Sequence, residues 1–225
     1  MALESTEDLS IYLKPTDFCD CENQAIIDMA YTLTKGCETE KEKALNIFYF
    51  VRDEISFMLD YIVKASETLE KRYGFCVTKS TLQIALLRAA RIPAKYHLAH
   101  VKKEPLKGVI ATGAYNGFPD IITFHPWAEC YLNGRWISCD TLLDENLTKA
   151  IYKKGLLSKE EIPSIDWDGE TDLNTVKAWM VEDKGTHNSL DSLFRKIQKY
   201  LNPEKYSIDI LNYSNKHTEK LRKKG

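Results

Sequence analysis

Three residues of this 225-residue chain could together perform nucleophilic chemistry: Cys76, His125 and Asp140. A cysteine attacks a carbonyl carbon well when an imidazole takes up its proton and a carboxylate orients that imidazole. Cys76 stands at the start of an apolar helical pattern, where free backbone N–H groups and the helix dipole favour a thiolate. A lone cysteine at such a position is usually a packing residue. A catalytic role therefore depends on whether the other two residues lie beside it.

The stretch from 125 to 143 predicts a β-hairpin that brings the histidine and the aspartate together. Asn133-Gly134 is the preferred pair for a two-residue turn, and side chains alternate between faces along each strand. The apolar face then carries Ala128, Cys130, Leu132, Ile137 and Cys139, and the other face carries His125, Trp127, Glu129, Tyr131, Trp136, Ser138 and Asp140. His125 is the diagonal neighbour of Asp140 on that face, about 7–8 Å away at the backbone, which the two side chains can span.

The elements around this hairpin predict an α+β fold. Helical patterns cover 23–34, 39–55, 66–72, 76–91, 174–181 and 189–201, a strand covers 94–101, and the Gly- and Pro-containing segment 102–123 favours a long loop or an irregular hairpin. Thr39 and Glu42 fit a capping box for the second helix. We expect a single domain over 1–225, with a catalytic core at 38–143 and a helical extension at 144–225.

Composition excludes several classes of protein. A net charge of −2 gives no basic footprint for nucleic acid, and the basic cluster at 220–224 is interpreted as a solvated tail. No apolar run approaches the roughly 18 residues of a membrane span, and the polar first ten residues do not resemble a signal peptide. The sequence thus predicts a cytoplasmic protein that binds neither membrane nor nucleic acid and whose six cysteines are mostly reduced.

No cofactor or metal is expected. Cys19, Cys21 and Cys37 lack the spacing of a zinc site. An acidic cluster, 166–172, surrounds Gly169, but its spacing does not match a calcium-binding EF-hand loop, and it is interpreted as a solvated turn.

The residues at the candidate site resemble the transglutaminase-like superfamily. The pattern consists of three blocks in order: Gly74-Phe75-Cys76 with a helix ending in Leu87-Arg88-Ala89-Ala90-Arg91-Ile92-Pro93-Ala94, then His125, Trp127, Glu129, Tyr131 and Leu132, then Trp136 and Asp140. This resemblance implies a papain-like fold with Cys76 as nucleophile, His125 as general base and Asp140 as the orienting carboxylate. Gly74, Trp127 and Glu129 are the supporting candidates around the site, and no substrate-binding residue is assigned.

The resemblance implies acyl transfer through a thioester on a peptide or carboxamide bond. Hydrolysis by a peptidase or amidase is preferred, because the sequence shows no device that excludes water. The alternatives are a glutamine γ-glutamyltransferase, an arylamine N-acetyltransferase, to whose cysteine motif 72–76 is similar, and a non-catalytic binding module. We expect a peptide or protein substrate, and the sequence leaves the oligomeric state open. A triad cysteine should also react with iodoacetamide faster than a free thiol, with an acid-shifted pH profile.

Overall fold

A computed structural model describes residues 8–200 and 207–223; the side chain of Tyr200 is not described. It contains eight α-helices in these ranges: α1 (Gln24–Thr34), α2 (Glu40–Tyr49), α3 (Ala65–Lys71), α4 (Cys76–Ala89), α5 (Thr112–Gly117), α6 (Glu145–Lys153), α7 (Asp191–Tyr200) and α8 (Ile208–Arg222). The predicted capping box is present, since Glu42 N–H donates to the Thr39 hydroxyl and Glu42 accepts from the Thr39 backbone. A π-helical turn, Phe50–Glu54, continues α2.

The described strands form two sheets. The strands are β1 (Ser56–Phe57), β2 (Tyr73–Gly74), β3 (Ala94–Lys102), β4 (Ile121–Leu132), β5 (Arg135–Ser138) and β6 (Met180–His187). The main sheet is antiparallel throughout, in the order β5-β4-β3-β6, and β1 pairs with β2 in a small parallel sheet. Helices packed on an antiparallel sheet, followed by further C-terminal helices, confirm the predicted α+β class.

The β4–β5 hairpin has the predicted register. Leu132 pairs with Arg135 and Cys130 with Ile137, and positive φ values of 52° at Asn133 and 83° at Gly134 identify the tight two-residue turn. All five residues of the predicted apolar face are at most 1 % exposed: Ala128, Cys130, Leu132, Ile137 and Cys139. Five residues of the opposite face are also buried, at most 9 % exposed: His125, Trp127, Glu129, Ser138 and Asp140.

Helix α4 is the central element of the core. Every residue from 77 to 88 is buried, as expected for a helix surrounded by protein on all sides. It packs against β3 and β4 of the main sheet and against α1, α2 and α3. This burial fixes the axis of α4, and with it the place of Cys76 at its first residue.

The segment 102–123 connects an irregular hairpin, as predicted: β3 and β4 pair antiparallel with a register shift, and the connection contains the short helix α5, which was not predicted. One predicted element in the C-terminal third was wrong. The range 174–181 was predicted to be helical, yet it forms one 3₁₀ turn, Lys177–Trp179, followed by β6. β6 is an edge strand with mostly exposed side chains, so it lacks the alternating hydrophobicity by which strands are recognised.

The basic C-terminal cluster is not a solvated tail within the described residues. Arg222 belongs to α8, and its guanidinium donates to both carboxylate oxygens of Asp144 at 2.9 and 2.7 Å. Asp144 is 3 % exposed and caps α6. The rest of that tail, at 224, lies outside the described residues, as do Leu201 of the predicted helix 189–201 and most of the polar N-terminus.

No helix in the described ranges is long and apolar enough to cross a membrane. In the same ranges, no group of three His, Cys, Asp or Glu side chains is arranged to hold a metal ion.

The acidic cluster at 166–172 makes structural contacts rather than forming only a solvated turn. Asp166 binds Arg52 at 2.5 Å, and Asp172 accepts the backbone N–H of Ser138 at 2.8 Å. Asp168 accepts the N–H groups of Glu170 and Thr171. These contacts join the segment 160–183 to β5 and to the end of α2.

Candidate active site

Cys76 is the first residue of α4 and is partly exposed. The preceding residues are fixed by the β1–β2 pairing, in which Phe57 pairs with Gly74. The N–H of Phe75 donates to the Thr78 hydroxyl at 3.0 Å, so a side chain from within α4 satisfies the backbone just before the helix. The backbone N–H groups of Cys76 and Val77, in the first turn of α4, act on the thiol.

Gly74 was expected to allow a sharp backbone turn and to leave room for a substrate chain, and the structure supports neither role. Its φ is not positive, and the residue is buried. A Cβ at this position would lie 2.3 Å from Oγ1 of Thr78. Gly74 is required because the Thr78 hydroxyl packs against the backbone there.

The pKa of the Cys76 thiol is raised to about 12. Burial of the sulfur is the largest cause, and the negative charge of Asp140 adds to it. The backbone N–H groups of Val77 and Cys76 act in the opposite direction but are outweighed. The helix start alone therefore does not produce a thiolate in the substrate-free protein.

His125 is 4 % exposed and lies in β4 opposite Ala99 of β3. Burial lowers the pKa of its imidazole, and the charge of Asp140 offsets this only in part. Its Nε2 atom is buried and has no hydrogen-bond partner among the described residues. A neutral imidazole with an unused nitrogen is suited to accept or pass on a proton.

Asp140 is 3 % exposed and lies two residues after the end of β5. Its Oδ1 accepts the N–H of Leu142 at 3.0 Å, and its Oδ2 accepts the N–H and the hydroxyl of Thr175 at 3.1 and 2.5 Å. No hydrogen bond joins Cys76, His125 and Asp140 to one another in the described part of the chain. The Asp140 charge nevertheless acts on both other residues, and catalytic hydrogen bonds of this kind often tighten only when substrate binds.

Thr175 was missed by the sequence analysis, because 174–181 was interpreted as a helix. It is 3 % exposed, and its segment is joined to the end of β5: Leu173 N–H donates to Ser138 at 2.9 Å, and Asp140 N–H donates to Leu173 at 3.1 Å. The two bonds from Thr175 fix the orientation of the Asp140 carboxylate. No local signal identifies such a residue, since its partner lies 35 positions away.

Gln83 was also missed, although a polar residue within an apolar helix is a signal for a structural hydrogen bond. It is 1 % exposed in α4. Its amide nitrogen donates to the carbonyl of Cys139 at 2.9 Å, and its oxygen accepts the hydroxyl of Thr141 at 3.0 Å. Gln83 therefore forms hydrogen bonds with the residues on both sides of Asp140. These bonds fix the position of the Asp140 backbone relative to α4, the helix that carries Cys76.

Trp127 and Glu129 lie on the face of β4 that carries His125. Trp127 donates through Nε1 to the Ser138 hydroxyl at 3.0 Å and stacks on His97 with ring centroids 4.3 Å apart. Glu129 binds Nδ1 of His97 at 2.6 Å and approaches Lys95 at 3.7 Å. These contacts support the strand rather than reach Cys76.

We expect the alkylation rate of Cys76 by iodoacetamide to rise with pH across the neutral and alkaline range. The thiol pKa is raised and the imidazole pKa is lowered, so the resting pair is a thiol and a neutral imidazole, and the thiolate fraction increases with pH. These directions oppose the acid-shifted profile expected from the sequence. Mass spectrometry of the labelled peptide separates Cys76 from the other cysteines. A thiolate paired with an imidazolium would instead react at a fast and constant rate from about pH 5 to about pH 7. Such a profile would contradict the neutral pair.

Comparison with known proteins is consistent with this geometry. The family model of the transglutaminase-like superfamily matches residues 27–141, a range that contains Cys76, His125 and Asp140. A solved structure described as a putative cysteine protease from Cytophaga hutchinsonii aligns with a TM-score of 0.51 at 18% identity, covering 84% of this chain and 50% of that one. The fold is thus shared at low identity, and this chain spans half the length of that protein.

A second solved structure, described as a putative protease from Parabacteroides distasonis, aligns at 20% identity with a TM-score of 0.37, over 57% of this chain and 24% of that one. No curated protein matches the chain.

Proposed function

Because the chain belongs to the transglutaminase-like superfamily, we propose that it is a cysteine-dependent hydrolase that cleaves a peptide or carboxamide bond through a thioester on Cys76. The observation that carries this proposal is the position of Cys76: it is partly exposed at the first residue of a buried helix. The charge of the buried Asp140 acts both on the Cys76 thiol and on the buried His125 imidazole.

The proposed first step follows from the protonation states. Neutral His125 takes the thiol proton as the Cys76 sulfur attacks the carbonyl carbon, so the S–C bond forms without a free thiolate in the resting state. The N–H groups at the start of α4 stabilise the charge that develops on the carbonyl oxygen. His125 then gives the proton to the departing amine as the C–N bond breaks, which leaves the thioester.

Asp140 stabilises the imidazolium that exists between these two proton transfers. Its charge already acts on His125, and Thr175 and Gln83 hold it in place through the bonds described above. In the second step water attacks the thioester, His125 accepts the proton of that water, and the carboxylic acid and the Cys76 thiol are released.

The test is digestion of a mixed peptide substrate by the 225-residue chain, with and without an added primary amine, followed by mass spectrometry. We expect new amino termini and free carboxyl groups in both conditions, and products that carry solvent ¹⁸O in labelled water. Products in which the amine replaces water as the main acceptor would instead identify a transferase. Absence of any acyl transfer from peptides and amides would refute the proposal.

A further inference from the structure

An enclosed cavity has His125 in its wall. We call it the His125 cavity; its walls include Val101, Val109, Ile122, His125, Thr175 and Val176. About 50 Å³ of it is open to the centres of water-sized molecules, which is room for at least one buried water. This volume is far below the roughly 300–1,000 Å³ of small-molecule sites, so the ligand that fits the cavity is water and not a substrate side chain.

A bulge in β4 places His125 on the face of the sheet that borders the cavity. Ala99 of β3 pairs with His125, and Val101, two residues further along, pairs with Ile122, so β4 carries one extra residue between the two pairs. Ala99 and Val101 lie on one face by strand alternation, and their partners lie on the same face. His125 and Ile122 therefore share that face although they are three residues apart.

Two polar side chains of the cavity wall belong to the candidate active site, His125 and Thr175. Nε2 of His125 is buried and has no hydrogen-bond partner among the described residues, whereas buried polar atoms in proteins are nearly always bonded to protein or to ordered water. The Thr175 hydroxyl donates to Oδ2 of Asp140 at 2.5 Å. A hydroxyl oxygen can also accept hydrogen bonds, so Thr175 can accept from water while it donates to Asp140.

We propose that water in the His125 cavity links His125 to Asp140: Nε2–H donates to water, the water donates to the Thr175 hydroxyl, and this hydroxyl donates to Asp140. The inference rests on the proposed function, because it concerns the base of the same reaction. Water-mediated hydrogen bonds are nearly as favourable as direct ones, so the link connects the imidazole to the carboxylate although no direct bond joins them in the described part of the chain.

The link also assigns the two ring nitrogens. A neutral imidazole has one donor and one acceptor nitrogen, so Nε2–H as donor leaves Nδ1 to accept the Cys76 proton. No proton moves along the link. Nε2 keeps its proton throughout, while Nδ1 gains and then loses one, and the link stabilises the imidazolium that exists between these two transfers. Thr175 is thereby a positioning residue, which acts on the base through water.

Replacing Thr175 with valine breaks the link, because valine keeps the shape of the side chain and lacks the hydroxyl. We expect kcat to fall about ten-fold with little change in KM, a part of the roughly 10²–10⁴-fold that a positioned base contributes. The acid limb of the pH–rate profile should move to lower pH, because a less stabilised imidazolium loses its proton at lower pH. Thr175→Ser retains the hydroxyl and should restore both kcat and the acid limb.

Val109→Met separates the water from the orienting bonds of Thr175 to Asp140. The longer, flexible side chain fills irregular space and displaces water from the cavity, while both bonds of Thr175 remain. We expect kcat and the acid limb to change in the same direction as in Thr175→Val. Val51→Met is the matched control, because Val51 is fully buried in the π-helical turn after α2 and is not part of the cavity wall. An effect of Thr175→Val without an effect of Val109→Met would overturn the water link.

NMR of the protein labelled with ¹⁵N-histidine tests the link without any turnover, with the His125 signals assigned by their loss in His125→Gln. We expect the tautomer protonated at Nε2. We also expect the imidazole pKa to be lower in Thr175→Val and Val109→Met than in wild type, and unchanged in Thr175→Ser and Val51→Met. If Thr175→Val does not fold, the tautomer and Val109→Met still decide. These results without peptide cleavage would retain the link and reject the hydrolase. The tautomer protonated at Nδ1, or an unchanged pKa in Val109→Met, would overturn the link.

Discussion

Replacing Cys76 with alanine is expected to lower kcat/KM for any cleaved peptide by roughly 10⁴- to 10⁶-fold, the loss typical of a covalent nucleophile. No other group at the start of α4 can form the thioester, and water alone would have to attack the substrate. Activity is measured with the best peptide from the digestion experiment. The fold should survive, since the backbone there is held by the Thr78 hydroxyl and not by the sulfur.

The control for this variant is Cys37→Ala. Cys37 is also partly exposed, but it lies after α1, where its sulfur accepts from Asn46 at 3.3 Å. The Cys37→Ala protein should retain full activity.

His125→Gln is a third variant, and it should lose activity, because no base then takes up the thiol proton. Cys76 should keep its reactivity towards iodoacetamide at alkaline pH in this variant. Peptide cleavage by the Cys76→Ala protein at the wild-type rate would remove Cys76 from the mechanism.

The hairpin and the helix that carry the candidate site could be predicted from the sequence, because each is specified by residues close together in the chain. A two-residue turn fixes the register of the whole hairpin, so the pairing of Leu132 with Arg135 could be counted directly and was confirmed. Likewise, a helix that begins at Cys76 and ends before Pro93 is specified by short-range rules. Such features depend on residues within a few positions of each other.

Features that depend on distant partners could not be predicted. The bond from Thr175 to Asp140 joins residues 35 positions apart, and Arg222 binds a residue 78 positions away. Neither pair leaves a local pattern. β6 shows the same limitation in another form: it is stabilised by hydrogen bonds to β3 at the edge of the sheet, and its exposed side chains carry no hydrophobic signal.

The sequence predicted where Asp140 lies in the fold but not which residues orient its carboxylate. Asp140 does follow β5 and does act on His125 by its charge. Its oxygens, however, are occupied by Leu142 and Thr175, so its orientation is set by the segment 173–175 and not by the imidazole. The hairpin count brought the two residues near each other but contained no information about this third segment.

Replacing Arg222 with methionine is expected to reduce the free energy of unfolding by about 3 kcal/mol, because the buried Asp144 carboxylate loses its hydrogen-bonded partner and retains only the more distant charge of Lys79. The side chains of Arg222 and Asp144 are 15% and 5% exposed. Asp144 also accepts the N–H groups of Phe57 and Leu147, so its loss of orientation would loosen β1 and the start of α6 together. Urea unfolding at neutral pH measures the change.

The control is Lys149→Met, which breaks the ion pair with Glu145 on the surface of α6. Those side chains are 60% and 51% exposed, and the expected change is less than about 0.5 kcal/mol. If both variants lost the same small amount of stability, the buried pair would not be a structural clamp between α8 and the rest of the protein.

The pH dependence of the Arg222→Met effect provides a stricter test. Burial alone would raise the pKa of Asp144, but the hydrogen bonds and charge of Arg222 outweigh it, and the net pKa is lowered. A carboxylate whose pKa is lowered by folding contributes stability above its unfolded pKa, about 3.9, and loses that contribution as the pH falls through the folded value. The stability difference between wild type and Arg222→Met should therefore be full at neutral pH and shrink below about pH 4. A difference that stays constant through this range would show that α8 is held by its apolar contacts and not by the ion pair.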